Sequence, residues 1–288
     1  MRSIKRIIPV KQLLRLALVL CLLMPSLAGC DLLPTVTVRG TPVTVPLPGS
    51  STPDIASPSS LNVWSQVAPG VELRYEDWKS GGGNEDIVTI IRFDLHHVRL
   101  SVEYQPTKPL LMSQWMQKEH ATAIINGGYF DQQKKATGLI ISNGQVFGAS
   151  YTGFGGMLAV DDQGRIQLRA LSQQPYDPNE GLQQVTQSAP MLMLPGGKRA
   201  QFNANAASAR RSVVAMDKQG RLLFIASPSM AFSLDELADR LVSSDLSINA
   251  ALNLDGGAST GLYVHTGSQQ VAIDSLVPLP IVVIVKGV

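Results

Sequence analysis

Asp255 is the side chain in this sequence best placed to do chemistry. It stands in A-L-N-L-D-G-G-A-S-T-G at 251–261. Leu252 and Leu254 alternate with Asn253 and Asp255, the pattern of a half-buried strand. Gly256-Gly257 must end that strand, because paired glycines adopt backbone angles that other residues avoid. A carboxylate at a strand end, beside a turn without side chains, can meet a ligand closely. The same dipeptide also suits a hairpin turn capped by an Asx hydrogen bond. A second junction of the same form is I-I-N-G-G-Y-F-D at 124–131. Asn126 precedes its glycine pair, and Asn both tolerates left-handed angles and can donate to and accept from a sugar hydroxyl. Asp131 follows, either as a second carboxylate for the site or as a loop residue facing water. Between the junctions lies Arg210-Arg211-Ser212. Arginine presents a planar fork suited to two phosphate oxygens, although arginine pairs also stand commonly on solvated surface. Arg211 is the candidate for phosphate, and Arg210 is assigned to the surface.

Other chemistries find less support. The four histidines are His96, His97, His120 and His265, and none falls in an H-E-x-x-H pattern. His96 and His97 are expected on opposite faces of one strand, which separates them. That argues against a zinc hydrolase. An oxygen-ligand site for Ca or Mg, built from carboxylates and loop carbonyls, stays open. There is no P-loop and no G-x-G-x-x-G.

The surrounding pattern says what must hold these residues. Ile87–Phe93 and His96–Tyr104 read as paired strands. Residues 111–120 read as a short helix, and 121–125 as the strand leading to Asn126. Ser142-Asn143-Gly144 marks a hairpin. Two further hairpins turn on D-x-x-G, at 161–164 and 217–220. Ser233 and Glu236 form a capping box, and Leu234, Leu237, Ala238 and Leu241 make one helical stripe behind it. Residues 280–286 read as a last buried strand. The sum is an α+β fold: a strand-rich single domain with a mixed or largely antiparallel sheet and few helices.

The N-terminus is a different kind of sequence. Arg2, Lys5, Arg6, Lys11 and Arg15 precede an apolar run from Leu16 to Leu27 that is short for a membrane span. Leu27-Ala28-Gly29-Cys30 resembles a bacterial lipobox, which implies a lipoprotein signal peptide over 1–29 and a diacylglyceryl group on Cys30. Residues 30–60, rich in Pro, Ser and Thr, read as a disordered tether, and 61–288 as the domain. The expected location is extracytoplasmic, anchored to the cell membrane by lipid. Losing residues 1–29 removes five of the 24 Lys and Arg and none of the 22 Asp and Glu, leaving a formal charge of −3. Nucleic acid is therefore a poor partner. The two cysteines are Cys21, lost with the signal, and Cys30, blocked by lipid, so no disulfide or thiol nucleophile remains.

Taken in order, I-N-G-G-Y-F-D, R-S-V-V-A-M-D-K-Q-G-R-L and N-L-D-G-G-A-S-T resemble the phosphodiester glycosidase domain family, over roughly residues 85–288. Ala189-Pro190-Met191-Leu192, ahead of Pro195-Gly196-Gly197, matches a further family segment. The matching positions are Asn126, Gly127, Gly128, Phe130, Arg211, Asn253, Asp255, Gly256, Gly257 and Ser259. Ala258 stands where the family usually has a third glycine, and Ser212 where it commonly has threonine. The resemblance implies hydrolysis of a sugar-1-phosphate diester at the anomeric C–O bond, in envelope or exopolysaccharide glycans. Asp255 would activate water or stabilise the sugar cation, with Asp131 as a second carboxylate and Arg211 on the phosphate. Asn126, Gly127, Gly128, Asn253, Gly256, Gly257 and Ser259 would contact substrate. The alternative is a non-catalytic polysaccharide-binding module that stacks sugars on Trp115, Tyr129 or Tyr151.

Overall fold

A computed structural model describes residues 60–203, 206–267 and 269–288. The expected signal peptide, Cys30 and nearly all of the tether lie outside these residues. The chain runs β1 (Ser65–Ala68), β2 (Val71–Lys79), β3 (Glu85–Phe93), β4 (Val98–Tyr104), α1 (Met112–Glu119), β5 (Ala123–Asn126), β6 (Ile140–Ser142) and β7 (Gln145–Phe147). It continues through β8 (Gly156–Asp161), β9 (Ile166–Ala170), β10 (Leu182–Ser188), β11 (Met191–Leu194), β12 (Lys198–Arg199), β13 (Ala209–Asp217) and β14 (Leu222–Phe232). Last come α2 (Leu234–Ser243), β15 (Ile248–Asn253), a 3-10 turn at Gly257–Ser259, β16 (Leu262–Thr266), β17 (Gln269–Ile273) and β18 (Ile281–Gly287).

These strands make three antiparallel sheets. One has eight strands in the order β1-β2-β3-β14-β13-β15-β11-β12, and two have five, β7-β6-β10-β8-β9 and β17-β16-β5-β18-β4. With two short α-helices among the described residues, the fold is largely all-β rather than α+β. The strand-rich, antiparallel part of the expectation holds.

Period-two alternation builds the layers. On β13, Val214 turns into a core shared by the three sheets, while Val213 and Ala215 turn toward α2. On β18, Ile281, Val283 and Val285 join the shared core, while Val282 and Ile284 pack on Met112, Trp115 and Met116 of α1. Each helix therefore covers the outer face of one sheet. In α2 the capping box forms as its sequence predicts: Ser233 N–H donates to Glu236 Oε2 at 2.9 Å, and Leu237, Ala238 and Leu241 are buried. The D-x-x-G hairpins are twins. Asp161 Oδ1 accepts the Gln163 and Arg165 N–H groups, and Asp217 Oδ1 those of Gln219 and Arg221, all at 2.9 Å.

One pairing differs from expectation. β3 and β4 do not pair. Both edges of β3 are taken, by β2 and β14, and β4 pairs with β18 in another sheet. The Asp94–His97 turn carries the chain between them. In that turn His96 and His97 are not separated by a strand; both Nδ1 atoms approach the Asp94 carboxylate, at 2.9 and 3.2 Å. Trp115 is buried, its Nε1 donating to the Leu279 carbonyl at 2.9 Å, and is closed to any sugar.

Candidate active site

The two glycine junctions meet in space and tie two sheets together. β5 ends at Asn126 in a five-stranded sheet, and β15 ends at Asn253 in the eight-stranded one. Asp255 N–H donates to the Gly127 carbonyl at 3.1 Å, and Leu254 N–H to the Ser212 carbonyl at 2.9 Å. Asn126 does most of the fastening. Its Nδ2 donates to the carbonyls of Asp255 (2.7 Å) and Gly127 (3.2 Å), and its Oδ1 accepts from Gly261 N–H at 3.1 Å. A buried amide with these three bonds has little capacity left for a sugar hydroxyl.

The glycines of this junction are packing residues too. A Cβ on Gly127 would stand 2.3 Å from the Ile281 side chain, and one on Gly128 would stand 2.0 Å from the Gln187 carbonyl oxygen. Asp131 is exposed, and its Oδ1 accepts Lys135 N–H at 2.8 Å, closing its own loop. That geometry suits a turn residue rather than a second catalytic carboxylate.

Around Asp255 the balance is different. Burial lifts its carboxyl pKa to about 6, while the Ser259 hydroxyl, the Gly256 N–H and the Lys134 charge pull against that rise. Ser259 is itself buried and sits in the 3-10 turn. Gly257, with φ +60° and open space around it, starts that turn.

Arg211 lies within β13 rather than ahead of it. Its Nε donates to the Phe232 carbonyl at 3.0 Å and its Nη2 to the Ala207 carbonyl at 2.8 Å. Among the described residues it has no carboxylate partner, and burial lowers its pKa. Gly256 lets the turn pass close by: a Cβ there would lie 3.9 Å from Arg211 Nη1. Two carbonyls thus hold a buried cation against the Asp255 turn without neutralising it. Arg210 is not a solvated surface residue. It is partly buried and donates to the carbonyls of Pro228 (3.0 Å) and Asp274 (2.9 Å).

Asn253 and Tyr129 form the floor. Asn253 Nδ2 donates to Tyr129 Oη at 2.8 Å and to the Ala189 carbonyl at 3.0 Å, and Tyr129 Oη donates to that same carbonyl at 2.9 Å. Among the described residues Asn253 Oδ1 is buried with no partner, an acceptor of the kind a substrate hydroxyl would satisfy. Burial, and next the charge of Asp255, push the Tyr129 hydroxyl up to about 12, so it stays a neutral donor. Tyr151, also raised chiefly by burial, is held by Thr137 and stacks on Phe154 with centroids 4.8 Å apart.

Beyond Tyr129 a cavity of about 810 Å³ opens, lined also by Phe154, Ala189, Pro190, Met191, Arg199, Phe202 and Leu234. Asp255 and Arg211 are not on its wall, so Tyr129 is the link between cavity and charges. Phe154, Arg199 and Lys134 join the site only in the folded chain. Phe154 sits in a G-F-G stretch and had a signal as an unpaired aromatic; the other two had none. Among the described residues, no group of three or more His, Cys, Asp and Glu side chains could hold a metal ion.

Such an arrangement can seat a monoanionic diester on Arg211 with a carboxylate of raised pKa beside it, the outline of a glycosidase-type hydrolase centre. Residues 119–285 match the model of the phosphodiester glycosidase (NAGPA) family, and the chain belongs to that family. The match contains both glycine junctions and Arg211, and is narrower than the span read from sequence. No curated protein matches the chain. Among solved structures, this chain is similar to the zebrafish N-acetylglucosamine-1-phosphodiester alpha-N-acetylglucosaminidase catalytic domain, auto-inhibited by its pro-peptide. The TM-score is 0.60 at 19% identity, covering 76% of this chain and 84% of that one. A hypothetical protein from Synechocystis gives 0.56 at 14% identity, covering 76% and 62%. At these identities the likeness is one of fold. The family is one of glycosidase enzymes, which supports a hydrolase-type function here.

Proposed function

We propose that the chain hydrolyses sugar-1-phosphate diesters at the anomeric C–O bond. The observation that carries this is Arg211, a buried cation with no carboxylate partner among the described residues, held against the turn that bears Asp255. Phosphate oxygens would accept from Arg211, and a sugar hydroxyl would donate to the orphaned Asn253 Oδ1. Water attacks the anomeric carbon as the bond to the phosphate oxygen breaks, and the electron pair leaves with the phosphate. Asp255 accepts the water proton and stabilises the cationic sugar. A phosphate monoester is a weak base, so the leaving group needs charge stabilisation more than a proton. The sugar 1-phosphate half is proposed to belong to an envelope or exopolysaccharide glycan, and the setting to be extracytoplasmic, with Cys30 lipidated. The lipobox-like L-A-G-C supports that location; labelled palmitate retained by the full chain but not by Cys30→Ala would test it.

The test of the activity is sugar release from a panel of sugar-1-phosphate diesters in ¹⁸O-water, with and without chelator, beside Asp255→Ala. Label in the sugar, lost with the variant, is the expected result. Label in the phosphate would overturn the bond assignment. Saturable glycan binding without turnover would favour the binding module.

A further inference from the structure

The cavity beyond Tyr129 has a composition that restricts the other half of the substrate. Phe154, Pro190, Met191, Leu194, Phe202 and Leu234 make most of its wall apolar, with Ser172, Gln201 and Asn203 as its uncharged polar side chains beside Tyr129. Phe154 is 55% exposed, a large apolar ring left in water at the rim and propped by Tyr151. The one charged residue on the wall, Arg199, is already engaged on every side. Its Nη2 pairs with Asp235 at 2.7 Å, its Nε with Asp239 at 2.5 Å, and its Nη1 donates to the Ala200 carbonyl at 3.0 Å. No cation on the wall waits for a second anion, in contrast to Arg211.

We infer that this cavity receives the alcohol part of the phosphodiester, and that this alcohol is an apolar alkyl or aryl group carrying no further charge. The inference rests on the hydrolase reading above. Phosphate at Arg211 directs one ester arm to Asp255 and the other past Tyr129 into the cavity. An alcohol bearing another phosphate would bring charge against Phe154, Met191, Phe202 and Leu234 with no free cation on the wall to meet it, which is costly. Alkyl carbons there gain from leaving water. Hydrolysis then consumes one water and yields the free sugar and an alkyl phosphate monoester.

The experiment compares kcat/KM for esters of one sugar 1-phosphate with methanol, with octanol and with an alcohol bearing a second phosphate. The parent, Phe154→Ala and Phe202→Ala are used, because a ratio between substrates does not depend on the fraction of folded enzyme. The octyl ester should exceed the methyl ester about tenfold or more in the parent. Each variant should reduce that ratio about threefold or more. A ratio near one, a ratio unchanged in both variants, or preference for the doubly charged ester would overturn the inference. Calorimetry with octyl phosphate and methyl phosphate separates the two readings. If no diester turns over, the hydrolase reading fails. The cavity assignment then stands only if octyl phosphate binds about tenfold tighter and Phe154→Ala weakens it; equal binding ends it.

Discussion

The two glycine junctions are near copies in sequence and opposites in physics. At Asn126-Gly127-Gly128 the polar side chain is buried and bonded to three backbone groups, and neither glycine has room for a Cβ. At Asp255-Gly256-Gly257 the carboxyl is held at a raised pKa, a cation without a carboxylate partner among the described residues stands by, and Gly257 faces open space. One is a fastener whose groups are satisfied. The other keeps its charges without an ion-pair partner among the described residues, as a site that must respond to a ligand does. Stability should depend on the first and turnover on the second.

The largest expected effects test that division directly. Asp255→Ala and Arg211→Ala should each lower kcat/KM by roughly 10²–10³ or more, the scale of losing one transition-state charge partner, while circular dichroism still reports a folded sheet protein. Equal losses of fold and activity would merge the two junctions into one structural unit. Gly128→Ala should do the reverse. Its Cβ would collide with the Gln187 backbone, so a cost on the order of 4 kcal/mol or an insoluble product is expected. Gly257→Ala keeps the space but strains φ, for about 1 kcal/mol. Denaturant midpoints for this pair that come out alike would break the comparison. Asn126→Ala falls between, at roughly 3 kcal/mol, because it orphans the Gly261 N–H and two carbonyls. Its remaining folded fraction, counted by active-site titration, should retain turnover far better than Asp255→Ala does.

Sequence made the local pieces legible and left the partnerships hidden. The capping box before α2, the Asn143-Gly144 hairpin and the twin D-x-x-G turns all depend on residues within a few positions of each other, so their chemistry is written in order. The β3–β4 error came from the same locality. Alternation reveals that β3 is buried, but not that β2 and β14 occupy both its edges. For the site, Asp255, Arg211 and Asn253 do come together, linked through Tyr129. Asn126 has the type of a ligand group, whereas its amide bonds to the Asp255 carbonyl, 129 positions away. Asp131 carried no sign that Lys135 N–H would occupy it. Charge neutralisation is non-local too: Arg199 and Arg211 look alike in sequence, and only folding gives the first its two aspartates.

Asp255→Asn supplies the finest test, because it should separate the stability of the second junction from its function by pH. The folded carboxyl titrates at about 6 against 3.8 for an unhindered aspartate, so between those values the folded state binds more protons than the unfolded one. Stability therefore falls as pH rises through about 4 to 6, and the cost is fully present above that window. At roughly 1.4 kcal/mol per unit, and allowing for partial exposure, the ionised carboxylate destabilises the fold by on the order of 2 kcal/mol. Asparagine has no charge to bury and can still accept from Ser259 and Gly256. The variant should thus melt higher than the parent at pH 7 to 8, match it near pH 3.5, and turn over poorly at every pH, while parent kcat/KM drops below about pH 6. A stability difference that does not vary with pH would mean that Lys134 or Arg211 already compensates the carboxylate. The contrast between a satisfied and an unsatisfied junction would then be lost on its electrostatic side.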